Sequence, residues 1–262
     1  MLFRSAEIEA LYGQKTETLV THWFVGCGKD STGTPDFGAM PGIIQKYGIG
    51  LEGNYAHYDN GSPQGAFLGG RTNVGNNTGS GLPMKLADHR GRVYDIYQLP
   101  NNVYDQEYME ANDQDGFYNC FKTIMDRSLA GAAYSWIHLK SHRAEWDFSR
   151  GPVLRMLDYA SVNGIPVVTA KKCLDFMRMK DSASFTDIEW SRNRLSFTLE
   201  SPRDAGVGLT FMVPVSHAGK TLKRVTADKK PADYTPRSIK GREYALVTVH
   251  GGESHMIRVE YR

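Results

Sequence analysis

The chain changes character near residue 183, and that change limits the folds open to it. Before about residue 180, helical and strand patterns take turns. "FRSAEIEALYG" places Phe3, Ile8 and Leu11 at helical spacing and stops at Gly13, and "TLVTHWF" then reads as a strand. "DFGAMPGIIQKYG" reads as a helix, "IGLEGNYAHY" and "RVYDIYQL" as strands, and "DQEYMEANDQDGFYNCFKTIMDRSLAG" as a longer, partly broken helix. "AAYSWIHLKSH" reads as a strand, "GPVLRMLDYASVNG" as a helix with Pro152 near its first turn, "IPVVTA" as a strand and "KKCLDFMRM" as a helix. Such alternation predicts a parallel sheet with crossover helices, either a barrel or doubly wound.

After "DSAS" the helical pattern stops. "FTDIEWS", "RLSFTLES", "VGLTFMVPV", "LKRVTAD", "EYALVTVHG" and "SHMIRVEYR" alternate with period two between turn residues, which predicts a small all-β Ig-like sandwich over 183–262 behind an α/β domain over 1–182. Ile188 and Trp190 share a side of the first of these strands, and Trp190 is read as packing in the core, ahead of stacking on a sugar. Between the two patterns of the α/β part lies a glycine-rich stretch, 58–81, too long for an ordinary connection.

Composition narrows the functional classes. A net charge of +2 from 31 basic and 29 acidic residues gives no concentrated basic face, so a nucleic-acid partner is not expected. No run reaches the length of a membrane span, and charges interrupt "MLFRSAEIEALYGQ" where a signal peptide needs an apolar core. Cys27, Cys120 and Cys173 are odd in number and widely spaced, which suits buried thiols better than a disulfide framework or a metal knuckle.

The stretch "YSWIHLKSH" holds two histidines four apart, His138 and His142. On a helix they would share a face at chelating distance. On a strand they stand roughly 13 Å apart, and the alternation of aromatic residues favours the strand. In a parallel α/β fold, chemistry collects where strands end. His142 ends its strand and is the candidate functional residue; His138, deeper in, is read as a hydrogen-bonded wall residue. The same rule selects His22 and Trp23 at the end of "TLVTHWF", and Tyr55, His57 and Asp59 at the end of "IGLEGNYAHYD". Imidazole suits proton transfer near neutral pH, and Trp23, Tyr55 and Trp146 suit stacking on sugar rings. His142 and His22 are therefore the catalytic candidates, with Trp23, Tyr55, His57, Asp59 and Trp146 on the substrate side.

Several segments carry a resemblance: "TLVTHWF", "IIQKYGIGLEGNYAHYD", "HLKSH", "NGIPVVTAKKCLDFMRMKDSASFTDIEWSRNRLSFTLES" and "IKGREYALVTVHGGESHMIRVEYR". Together they are similar to a group of large secreted bacterial proteins related to the polysaccharide deacetylases. The resemblance implies a distorted (β/α) barrel, partial in this chain, and removal of acetyl groups from a polysaccharide or amino-sugar polymer with a divalent metal, usually zinc. It also implies a parent protein located outside the cell or at its surface. "HLKSH" falls where the family has a Leu-x-His, with one residue of extra spacing, so His142 corresponds to the general acid. "VTHWF" falls near an Arg-x-Pro-aromatic segment, with Val20 and His22 replacing the arginine and proline.

The family's Asp-Asp strand and metal-binding His-x-x-x-His pair have no counterpart before "TLVTHWF". The expectation is a chain whose Met1 is internal to a longer parent, with the metal held in that parent and none in this chain. A variant site would be assembled from His22, His57 or Asp59, and His142. A barrel lacking two strands exposes sheet edges, which predicts self-association. The competing reading is a non-catalytic carbohydrate-binding or cell-surface protein, for which the replaced arginine and proline speak. A glycoside hydrolase finds no pair of carboxylates at strand ends to support it.

Overall fold

The computed structural model describes residues 5–20, 28–29, 32, 35–36, 39–55, 82–88, 90–100, 103–131 and 136–262. The chain divides into two compact units, Met1–Lys171 and Lys172–Arg262. The first unit runs α1 (Ser5–Tyr12), β1 (Thr18–Leu19), β2 (Gly28–Lys29), β3 (Pro35–Asp36), α2 (Ala39–Lys46), β4 (Leu51–Tyr55), β5 (Met84–Ala87) and β6 (Val93–Pro100). It continues through β7 (Val103–Tyr104), α3 (Gln106–Met109), α4 (Gln114–Leu129), β8 (Leu139–Lys140) and α5 (Trp146–Val162).

The sheet of the first unit is mixed. β1 and β4 are parallel, β4 and β6 are parallel, and β5 closes the other edge antiparallel to β6, in the order β1-β4-β6-β5. A short parallel pair, β7 with β8, aligns Val103 with Leu139 and Tyr104 with Lys140. β6 is buried on both faces: Tyr94 and Ile96 lie on one, Tyr97 and Leu99 on the other, as expected of a strand covered on two sides. α2 covers the first face, where Ile44 and Ile49 pack with Tyr94 and Ile96.

The helices follow their apolar spacing. α4 opens on Asp113, whose carboxylate accepts the Gly116 N–H at 2.8 Å, satisfying one of the first-turn donors. Its buried stripe is Phe117, Cys120, Ile124 and Met125, and it meets α5 through a cluster that includes Tyr108 and Met156. α5 starts at Trp146, before the predicted Gly151, because a 3-10 turn over Arg143–Glu145 leads directly into it. Pro152 consequently lies inside the helix rather than in its first turn.

Two expected strands are shorter than the sequence suggests. "IPVVTA" forms no strand: residues 165–169 carry no ladder and α6 (Ala170–Ser182) begins at Ala170, while Val167 stays two-thirds exposed, so its β-branched side chains find no sheet face to cover. In "HLKSH" only Leu139 and Lys140 are laddered. His138 lies outside that ladder and packs near Gly53 of β4, where a Cβ would sit 3.2 Å from its ring carbon.

Most of α6 belongs to the second unit, followed by β9 (Ser184–Ser191), β10 (Arg194–Glu200), β11 (Leu209–Pro214), β12 (Ser216–His217), β13 (Lys220–Ala227), β14 (Lys230–Pro231), β15 (Tyr234–Ile239), β16 (Arg242–Val249) and β17 (Ser254–Tyr261). One antiparallel sheet has the order β12-β13-β17-β10-β9 with β14 beside β13, and a second has the order β11-β16-β15. Period-two alternation sends Leu209, Phe211 and Val213, Ala245, Val247 and Val249, and Ile257, Val259 and Tyr261 into one shared core with Phe197, Leu199 and Met179. Lys240 and Gly241, both at positive φ, form the two-residue turn that pairs Ile239 with Arg242, the geometry that matches the twist of a tight hairpin.

Trp190 corrects the core assignment made from sequence. β9 ends its sheet, and Ile188 and Trp190 are exposed on it, with the Trp190 ring 4.6 Å from that of His217. Among the described residues, no helix is long and apolar enough to cross a membrane.

Candidate active site

Two adjacent parallel strands, β7 and β8, end in Asp105 and in Ser141–His142, so both chain ends arrive at the same side of the sheet. Asp105 also opens α3: its carbonyl oxygen accepts the N–H groups of Tyr108 and Met109, each at 3.0 Å. These bonds fix its backbone, and its side chain points into protein with no exposure.

His142 meets that carboxylate twice. Its backbone N–H donates to Asp105 Oδ2 at 2.6 Å, and its ring Nδ1 lies 2.8 Å from Asp105 Oδ1. A carboxylate only accepts, so the contact assigns the proton to Nδ1. The backbone of His142 is extended (φ −84°, ψ 140°), and the 3-10 turn that follows carries the chain into α5.

From the first turns of α5, Ser149 reaches back to the same group. Its Oγ lies 3.1 Å from Asp105 Oδ2 and 3.0 Å from the Glu145 carbonyl oxygen, and the residue is fully buried. Three donors from two elements thus converge on the two oxygens of Asp105, which is how a buried carboxylate is satisfied. The arrangement holds one face of the imidazole in a single orientation and tautomer.

The His142 side chain retains 29% exposure. It borders a hollow of about 510 Å³ lined by Ser141, His142, Arg143, Ala144, Trp146 and Asp147. Trp146, the first residue of α5, is exposed and gives this hollow an aromatic wall. The Nδ1 side of the ring is thus committed to Asp105.

Of the residues selected from sequence, the structure brings His142 and Trp146 to one hollow. His22, Trp23, His57 and Asp59 lie outside the described residues, as does the side chain of Tyr55, whose backbone ends β4. Asp105 and Ser149 are additional members. Asp105 had a readable signal: it ends a strand and precedes a helix in "NNVYDQE", the same position that selected the histidines. Ser149 had none, since a serine in a helix carries no mark of the carboxylate it faces.

A metal is implied by the resemblance, and the donors present test that implication. Among the described residues, no group of three or more His, Cys, Asp or Glu side chains could hold a metal ion. Asp105 gives both its oxygens to donors from His142 and Ser149, which leaves neither oxygen for a metal. The described residues therefore do not fit a metal site, and no step below runs through one. No family model matches the chain, and neither a curated protein nor a solved structure matches it.

Proposed function

We propose that the chain is a deacetylase-like carbohydrate hydrolase: a (β/α) barrel of the polysaccharide deacetylase type, partial in this chain, followed in sequence by an Ig-like sandwich. It acts on an acetylated polysaccharide or amino-sugar polymer outside the cell or at its surface. The observation that carries this reading is the Asp105–His142 pair at the ends of two parallel strands, bordering a hollow with a tryptophan wall. The parallel run β1, β4 and β6 in chain order suits a wound barrel, with β5 antiparallel on the outer edge of β6 and the parallel pair of β7 with β8 forming a separate sheet.

The chemistry follows from the ring's orientation. When an acetamide or ester is hydrolysed, the departing nitrogen or oxygen needs a proton, and His142 is the residue placed to supply it. The Asp105 carboxylate holds the ring in one orientation and tautomer, as in other carboxylate–imidazole pairs. Trp146 offers an apolar face to a sugar ring. The described residues supply this proton-transfer arm of the reaction and no more.

A second reading, a non-catalytic carbohydrate-binding or surface protein, is favoured by Val20 and His22 standing where the resembled family has its arginine and proline. One experiment separates the two. The chain and its His142→Gln variant are incubated with acetylated chitooligosaccharides and acetylated xylan, with acetate release and sugar binding measured in parallel. Acetate release that falls about 10²-fold or more in the variant supports the hydrolase. Binding of the sugars without acetate release supports the second reading, and absence of both overturns the carbohydrate assignment.

A further inference from the structure

The second unit holds a histidine that the hydrolase reading does not use. His255, on β17, is 6% exposed. Its Nδ1 lies 2.8 Å from Asp228 Oδ2, and its Nε2 lies 3.0 Å from the carbonyl oxygen of His250. A carboxylate and a carbonyl both accept and neither donates, so both contacts are hydrogen bonds only when both ring nitrogens carry protons. The geometry is that of an imidazolium.

The two partners come from two different turns. Asp228 and Lys229 form the two-residue turn between β13 and β14, pairing Ala227 with Lys230, and both adopt positive φ, 51° and 68°. Asp tolerates that conformation and Lys does so at a cost, so this turn needs support from outside itself. Its support is β17: the Met256 N–H donates to Asp228 Oδ1 at 2.9 Å, the Asp228 N–H donates to the Met256 carbonyl at 2.9 Å, and His255 binds the other carboxylate oxygen. His250 directly follows β16 and opens the turn into β17.

We propose that the His255 imidazole is a proton-operated latch that fastens the β13–β14 turn to the β16–β17 turn. As the imidazolium it donates to both turns; as the neutral ring it can donate to only one. Beside it lies a hollow of about 520 Å³ whose lining includes Asp228, Lys230, Asp233, Tyr234 and His250, so releasing the latch loosens one wall of that space.

The charges around the ring favour the closed form. Burial works against a charged ring here, and the Asp228 carboxylate, the His250 carbonyl and Glu253 outweigh it, leaving the His255 pKa above its ordinary value. Asp228 is likewise desolvated, yet His255, the Met256 N–H and Lys230 hold its carboxyl below its usual range. Asp233 and the Tyr234 phenol border the same hollow from the start of β15, as does His250 from the other turn. The latch therefore contributes its full stability below the ordinary imidazole pKa of about 6.5 and loses it as pH rises through the raised folded value.

The test uses the whole chain. Proton–nitrogen NMR of the imidazoles, with His255 assigned through the backbone, follows the ring from pH 5 to 9. The expected result is protons on both ring nitrogens at pH 6.5 and a midpoint above that pH. Thermal melts of wild type and His255→Gln over the same range then read the latch: the wild-type advantage, about 4 °C or more at pH 6, shrinks as pH passes the midpoint. A single neutral tautomer at pH 6, or an advantage unchanged across the range, overturns the proposal. Should His255→Gln not fold, the titration of the wild-type ring decides alone.

Discussion

The imidazole of His142 and the carboxylate of Asp105 meet at 2.8 Å although 37 residues separate them, because they follow two strands that lie side by side and run the same way. The pairing of β7 with β8 is only two residues long, yet it sets both side chains at one level. α5 then closes the arrangement by bringing Ser149 onto the same carboxylate. A helix, a strand end and a strand–helix junction thus combine to orient one ring.

Asp105→Asn should therefore cost both stability and chemistry. The amide keeps the shape of the side chain, but one of its two ends becomes a donor facing donors from His142 and Ser149. A buried donor left without an acceptor costs about 1–3 kcal/mol. Urea unfolding should show that loss, and any acetate release that depends on His142 should fall with it. A variant as stable and as active as wild type would show that the pair orients nothing.

Ser149→Ala is expected to be much milder. The hydroxyl has one hydrogen and two acceptors within reach, Asp105 Oδ2 and the Glu145 carbonyl, so it donates to one of them at a time. Its loss should cost about 1 kcal/mol, partly offset by the better helix propensity of alanine. Ser149→Leu, which forces added volume into a fully buried position, should lose about 1–3 kcal/mol. Thermal melts of the two variants separate loss of the bond from loss of space.

Much of the scaffold was readable because its cause is local. The spacing of Phe117, Cys120 and Ile124 marks α4, and the alternation of Leu209, Phe211 and Val213 marks β11, whatever lies around them. The misreadings concern features that only partners decide. "IPVVTA" has the composition of a strand, but no neighbouring strand accepts it. Trp190 alternates correctly for a core, yet the strand that carries it is an edge. In the site, His142 was legible as a strand-end residue, whereas its bond to Asp105 depends on which strands are neighbours, a fact stored in the sheet rather than in either segment.

The two buried cysteines should be chemically silent. Cys120 and Cys173 are both buried, and burial pushes the Cys173 thiol up to about 12. The thiolate is the reactive form, so at pH 8 a thiol with that pKa offers almost none of it. In a Cys27→Ser background, an aromatic disulfide reagent should label neither cysteine in the folded chain at pH 8, and both after denaturation. Rapid labelling of Cys173 without unfolding would contradict its burial on α6.

The exposed edge of the second unit should be the site where self-association is most easily weakened. β9 ends its sheet, and Phe185, Ile188 and Trp190 are all exposed along it. An edge strand presents unpaired backbone groups, and apolar side chains beside them favour pairing with another chain, while a lysine there opposes it. Ile188 is 67% exposed, so Ile188→Lys removes no buried contact and should change stability by no more than about 0.5 kcal/mol. Sedimentation velocity over a concentration series should show less association in the variant than in wild type. If the two associate equally, the contact between copies forms elsewhere, and the edges of the first unit's sheet become the place to substitute next.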